Sequence, residues 1–326
     1  MKEYKKLYNS QRKIVEEKIS KIFVAREPRS LYEPSAYLLK SGGKRLRPLL
    51  VLLSAKAVGA KFSSAYNAAL AVELLHNFTL VHDDIMDNAD KRRGRLTLHK
   101  KYDTNTAIIA GDSLLSIAYE FLLKDCNGNA KKILETFNRG LIEVCEGQSL
   151  DKEFETRNKV TLNEYLEMIR KKTAAMAEMC CSVGAQLAGG SKSEIKALED
   201  YGRNIGIAFQ IQDDLLDITA DEAEFGKVVG GDLIEGKKTF LFIKAFEKAK
   251  NDDKRALFEV VLNKGIKKHQ VEEYKQIYER LGVLTDAKNS ISKYTEAAVC
   301  SLKKLPRKED IEIFQWIAYS LIERIK

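Results

Sequence analysis

Apolar residues recur at helical intervals along this chain. In SAYNAALAVELLHNFTLVHDD (64–84) they follow the 3.6-residue period, and alanine and leucine, strong helix formers, dominate the stretch. TLNEYLEMIRKKTAAMAEMCC (161–181) opens on a Thr161–Glu164 capping box, and SKSEIKALEDYGRNIGIAFQIQDDLLD (191–217) opens on Ser191–Glu194. Neither the alternation of strands nor repeating βα units is present. Breaks fall at Gly42–Gly43, at CNGN (126–129), at Gly189–Gly190 and through FGKVVGGDLIEGKKT (225–239). Proline, which breaks helix interiors, occurs 4 times and never between Pro48 and Pro306. The pattern predicts an all-α fold of ten or more helices in a single domain, 1–326. Its last helices span roughly 269–282, 284–303 and 309–325.

Composition narrows the classes. Hydrophobic residues make up 44% and charged residues 31% of the 326 positions, the balance of a globular protein. No apolar run approaches the roughly 18 residues of a membrane span. MKEYKKLYNSQRKIVEEKISKIF mixes acids and bases throughout, unlike a signal or transit peptide, so a cytoplasmic protein is expected. The 5 cysteines lack any CxxC, which implies reduced thiols, and the 4 histidines show no zinc spacing. Net charge is +8, yet no basic stripe or nucleic-acid module accompanies it. The excess suits small polyanionic ligands.

Candidate chemistry lies in two acidic motifs. LVHDDIMDNADKRRG (80–94) and FQIQDDLLD (209–217) share the DDxxD spacing. On a helix this places Asp83 and Asp87 about 40° apart on one face and about 6 Å apart along the axis, with Asp84 about 100° round. Asp213, Asp217 and Asp214 repeat the arrangement. Carboxylates so placed repel unless a cation bridges them. Their hard oxygens suit Mg²⁺, which takes one or two protein carboxylates and completes its shell with water and phosphate. Apolar flanks, with Ile85–Met86 and Leu215–Leu216 between the acids, argue against a merely solvated face. Arg92 and Arg93 follow the first motif. Lys44, Arg45 and Arg47 crowd the turn after Gly42–Gly43, and Lys227, Lys237 and Lys238 sit in the glycine-rich segment. Together these residues predict sites for two diphosphate groups, one held through Mg²⁺ and one by Arg and Lys. GDLIEGKK (231–238) nearly spells a P-loop, but lysine stands where Ser/Thr must bind Mg²⁺ and no strand precedes it.

GGKRLRP (42–48), DDIMDNADKRRG (83–94), KT (172–173), FQIQDDLLD (209–217) and GKVVGGDLIEGKKT (226–239) occur in the order found in the trans-isoprenyl diphosphate synthases, the short-chain polyprenyl synthetases. The chain resembles that family over essentially its whole length. The resemblance implies a helical bundle around a central hydrophobic cavity, usually a homodimer, catalysing Mg²⁺-dependent head-to-tail condensation. By position, Asp83, Asp87 and Asp213 would bind metal, about three Mg²⁺ per site, with Asp84, Asp214 and Asp217 in support. Arg92, Lys227 and Lys237 would hold the allylic diphosphate. Lys44, Arg47, His76 and Arg93 would hold isopentenyl diphosphate. Lys172, Thr173 and Gln210 would stand beside the reacting carbon, and the 226–239 loop would act as a lid.

Leu75, Phe78 and Thr79 lie eight, five and four residues before Asp83. In the family an aromatic at the fifth position blocks the product tunnel. Thr79 at the fourth, with an uninterrupted DDIMD, resembles geranylgeranyl (C20) synthases of the archaeal kind. Farnesyl (C15) or mixed products are the alternative, and a non-catalytic partner subunit the remote one. The second motif is DDLLD, not the Asn/Ser/Glu triad of terpene cyclases.

Overall fold

The computed structural model describes residues 2–126, 128–220, 229–305 and 308–322. It is all-α. Ten helices carry the chain to the second acidic motif: α1 (Lys2–Ile19), α2 (Arg29–Leu39), α3 (Leu46–Ala57), α4 (Tyr66–Met86), α5 (Leu98–Lys101), α6 (Thr104–Asp125), α7 (Ala130–Thr156), α8 (Leu162–Ile169), α9 (Ala175–Leu187) and α10 (Lys192–Thr219). Further helices follow, including Gly231–Ile234, Phe240–Lys248, Val271–Arg280, Val283–Ser301 and Lys308–Ile322. The last three match the predicted closing helices to within a few residues at the described ends.

Contacts divide the chain into two compact units. The first comprises 1–136, 180–196 and 305–312; the second comprises 137–179, 197–304 and 313–326. In the first, α3 is buried almost all round, from Pro48 to Ala55, because LRPLLVLLSAKA is apolar on every face. It packs on α4, which lies along α6. In the second, Ile207, Ile211, Leu215 and Ile218 form a stripe down α10. The same core contains Tyr165, Met168 and Ile169 of α8 and Phe240–Ile243. Both capping boxes form: Thr161 and Glu164, and Ser191 and Glu194, exchange side-chain and backbone hydrogen bonds.

Two features depart from the sequence expectation. A two-stranded hairpin, β1 (Lys91–Arg92) and β2 (Arg95–Leu96), interrupts the helices. Its turn residues Arg93 (φ 52) and Gly94 (φ 75) are both left-handed, the geometry that matches strand twist in a two-residue turn. RRGR has no apolar alternation to announce it. Secondly, α6 is by length and composition apolar enough to cross a membrane. No uninterrupted apolar run marks it, since Asp112 and Glu120 lie within. Ala107, Ala110, Leu114, Ala118 and Leu122 are buried along one side of it.

Candidate active site

The first unit gathers cations around one histidine. After Gly42 and Gly43 the chain passes through Arg45, itself left-handed (φ 53), at the start of α3. Tyr8 of α1 donates to the Lys44 carbonyl at 2.7 Å. Arg45 is 4% exposed. It bonds Glu16 of α1, the Leu39 carbonyl of α2 and the buried Glu73 of α4. Asn77 also donates to Glu73. One buried carboxylate therefore ties the basic turn to the helix that bears His76.

Arg47 donates to His76 Nε2 at 3.2 Å. A guanidinium can only donate, so the imidazole is neutral with its proton on Nδ1. Burial, then Arg47, Arg93, Arg92 and Arg45, hold the His76 pKa well below the usual histidine range. Nδ1 finds no hydrogen-bond partner among the described residues. Arg93 reaches back from the hairpin to the Gly42 carbonyl. Arg47, His76 and Arg93 are thus brought into one basic neighbourhood, in which Glu73 is already engaged by Arg45; Lys44 stays exposed in the turn before Arg45. Such a cluster of cations suits a small polyanion.

The first acidic motif falls in the last turn of α4, where the macrodipole disfavours carboxylates, and the second lies in the final two turns of α10. They share a pattern. Asp83 and Asp87 retain accessible surface while Asp84 is 3% exposed; Asp213 and Asp217 retain it while Asp214 is 5% exposed. The middle aspartates have protein partners. Arg92 Nε donates to Asp84 at 2.7 Å, although burial still raises the Asp84 pKa against the pull of Arg92. Asp214 accepts from Tyr165, Gln210 and the Phe240 backbone. Burial, aided by Asp232, raises its pKa. Asp217 accepts from the Asp232 backbone at 3.1 Å.

Among the described residues no group of three His, Cys, Asp or Glu side chains is arranged to enclose a metal. What the motifs offer are accessible carboxylate pairs one turn apart. That hard donor set fits Mg²⁺, an ion that leaves coordination positions for phosphate.

In the second unit Lys172 and Thr173 lie in a π-helical turn, Arg170–Ala174, between α8 and α9. Such single π turns cluster at functional sites. Two glycines admit it. A Cβ on Gly147 of α7 would overlap the Lys172 backbone, with Cα at 2.6 Å, and one on Gly206 of α10 would lie 2.5 Å from the Ala174 Cα. Gly147→Ala is expected to lower the urea midpoint by a cost of about 1–3 kcal/mol. Lys172 pairs with Asp151 at 2.5 Å, and Thr173 donates to Gln210 at 2.9 Å. Lys237 pairs with Glu235 at 2.7 Å and Asp232 at 3.5 Å. Burial alone would lower its pKa, but these carboxylates raise it. A cavity of about 120 Å³ is lined by Tyr165, Lys172, Gln210, Asp214, Asp232 and Lys237. Lys227 and the first part of the 226–239 loop lie outside the described residues.

The chain-length candidates share α4. Leu75 is fully buried. Phe78 is half-buried with its ring 4.5 Å from that of His82. Thr79 turns its hydroxyl to the His76 carbonyl at 2.8 Å. Sequence reasoning missed Glu73, Tyr165, Asp151 and Gly147. Only Glu73, a lone acid in AALAVELL, carried a signal.

Residues 28–281 match the model of the polyprenyl synthetase family. A geranylgeranyl diphosphate synthase of Sulfolobus acidocaldarius is 41% identical over 314 residues, covering 94% of this chain and 95% of that one. A geranylfarnesyl diphosphate synthase of Natronomonas pharaonis is 38% identical over 332 residues, covering 96% and 95%. The crystal structure of geranylgeranyl pyrophosphate synthetase from Pyrococcus horikoshii superposes with a TM-score of 0.90 at 37% identity, covering 99% of each chain.

Proposed function

Because the chain belongs to the polyprenyl synthetase family, whose members are trans-type prenyltransferases, we propose that it condenses isopentenyl diphosphate head-to-tail with allylic diphosphates, chiefly to geranylgeranyl diphosphate (C20). The observation that carries this reading is the pair of DDxxD motifs, each at a helix C-terminus with its first and fifth carboxylates accessible.

Asp83, Asp87, Asp213 and Asp217 would hold Mg²⁺, about three ions per site, with Asp84 and Asp214 held in place behind them. When bound, Mg²⁺ neutralises the allylic diphosphate and makes it a leaving group. Arg92, Lys227 and Lys237 hold that same diphosphate, Lys237 exchanging its carboxylate partners for phosphate oxygens. Lys44, Arg47 and Arg93 grip isopentenyl diphosphate, and neutral His76 donates to it from Nδ1. Thr173, Gln210 and the Lys172 carbonyl present the negative ends of their dipoles to the allylic cation, stabilising it without adding to it. The allylic C–O bond breaks and releases diphosphate; the isopentenyl double bond attacks the cation, and the released diphosphate takes the proton lost from the adduct.

A homodimer is proposed from the family resemblance; Ile108 (38% exposed), Ile109 (59%) and Leu123 (48%) lie on one side of α6 together with the exposed Asp112 and Ser116.

The test is direct. The purified chain receives Mg²⁺, isopentenyl diphosphate and dimethylallyl, geranyl or farnesyl diphosphate in turn, and product lengths are measured. C20 is expected as the main product; a C15 or mixed distribution would favour the farnesyl alternative. No turnover with any starter would overturn the reading in favour of a non-catalytic subunit. Phe78→Ala is expected to extend the product beyond C20, and mass spectrometry showing an unchanged distribution would reject Phe78 as the tunnel floor.

A further inference from the structure

The Tyr165 hydroxyl begins a chain of hydrogen bonds that ends on Thr173. Its hydroxyl donates to Asp214 Oδ2 at 2.5 Å. The same oxygen accepts from the Phe240 backbone at 3.0 Å. The other, Oδ1, accepts from Gln210 Nε2 at 3.2 Å. Gln210 Oε1 in turn accepts from the Thr173 hydroxyl at 2.9 Å. We propose that Tyr165 is a positioning residue that, through Asp214 and Gln210, fixes the direction in which the Thr173 hydroxyl points.

The direction follows from donor chemistry. An amide has one accepting end and one donating end. With Tyr165 and the Phe240 N–H donating to Oδ2, the ionised form of Asp214 has only acceptor capacity to offer Gln210. The Gln210 NH₂ must therefore face Asp214, and its carbonyl oxygen must face Thr173. Thr173 then commits its single proton to Gln210 and presents lone pairs on its other side. A developing allylic cation requires that polarity, and a dipole fixed in advance needs no reorientation as charge appears. A reversed amide would turn the hydroxyl proton outward and oppose ionisation.

The relay is built to hold. Tyr165 is 2% exposed, on the face of α8 that carries Met168 and Ile169 into the second unit's core. Its ring meets that of Phe240 edge-on at 6.3 Å. Burial, then Asp214, keep the phenol protonated by raising its pKa well above the ordinary value. The donating state of Tyr165 is thus secured.

This inference rests on the proposed prenyl transfer, so wild-type turnover is measured first. Its absence overturns the functional reading and the relay with it. Given turnover, Tyr165→Phe is expected to lower kcat about 10- to 100-fold while both KM values move less than about threefold. The decisive readout is a double-mutant cycle. In a Thr173→Val background, which has no hydroxyl to orient, Tyr165→Phe should cost no further activity. In a Thr173→Ser background, which retains the hydroxyl, it should cost the full factor. Tyr165→Met, which also lacks the hydroxyl but leaves Asp214, Gln210 and Thr173 in place, carries the same expectation and serves if Tyr165→Phe does not fold. Losses that multiply in the Thr173→Val background would show a merely structural role and overturn the relay.

Discussion

Arg45→Met is expected to cost about 3–5 kcal/mol of folding stability. The reason is Glu73. Its side chain is 4% exposed, and Arg45, at 1%, supplies its charge partner. Asn77 adds a neutral donor at 3.2 Å but no charge. Without the guanidinium, an ionised carboxylate would remain buried beside Asn77 and far from water, which costs more than the pair contributes when intact. Glu16, 37% exposed, can turn to solvent and adds little to the loss. Arg45→Met combined with Glu73→Met should recover most of the stability, because an apolar pair of similar size needs no counter-charge. Urea denaturation of the single and double variants checks both statements. A single variant within about 1 kcal/mol of wild type would mean that the Arg45–Glu73 pair does not hold the basic turn.

The second large effect separates the aspartates by role. Asp83→Ala and Asp213→Ala are each expected to lower turnover about a thousandfold or more with little change in unfolding midpoint. Each removes an accessible carboxylate, and for Asp83, in the last turn of α4, the macrodipole repels the charge in any case. Asp84→Ala and Asp214→Ala should lose stability as well as activity. The first strands the Arg92 guanidinium. The second strands the Tyr165 hydroxyl and the Phe240 N–H, at about 1–3 kcal/mol for each buried group left without a partner. Turnover at saturating Mg²⁺, read beside unfolding midpoints, makes the comparison. An Asp83→Ala variant keeping a tenth of wild-type activity would remove that residue from the metal assignment.

Local signals were legible in the sequence and tertiary ones were not. A capping box is complete within four residues, so Thr161–Glu164 and Ser191–Glu194 could be read directly. Helix ends near Gly42–Gly43 and Gly189–Gly190 follow from glycine alone. Both DDxxD motifs state their spacing, and helical geometry then places the first and fifth acids on one face. What distinguishes Asp84 from Asp83 is a hairpin that folds Arg92 back onto α4, and RRGR has no pattern that announces strands. What distinguishes Asp214 is Tyr165, 49 positions away in the chain. The π turn at Lys172–Thr173 depends on the missing side chain of Gly147, which reads as an ordinary glycine in EGQSL.

The hairpin has one more consequence. Arg92 and Arg93 are adjacent and chemically identical, yet a left-handed turn begins between them. The first engages the acid of α4, and the second engages the Gly42 carbonyl beside the basic turn. Neither can stand in for the other, because exchanging their tasks would require the ribbon to slip by one position. Inserting a single residue there would therefore disable both contacts at once while leaving every arginine in the chain.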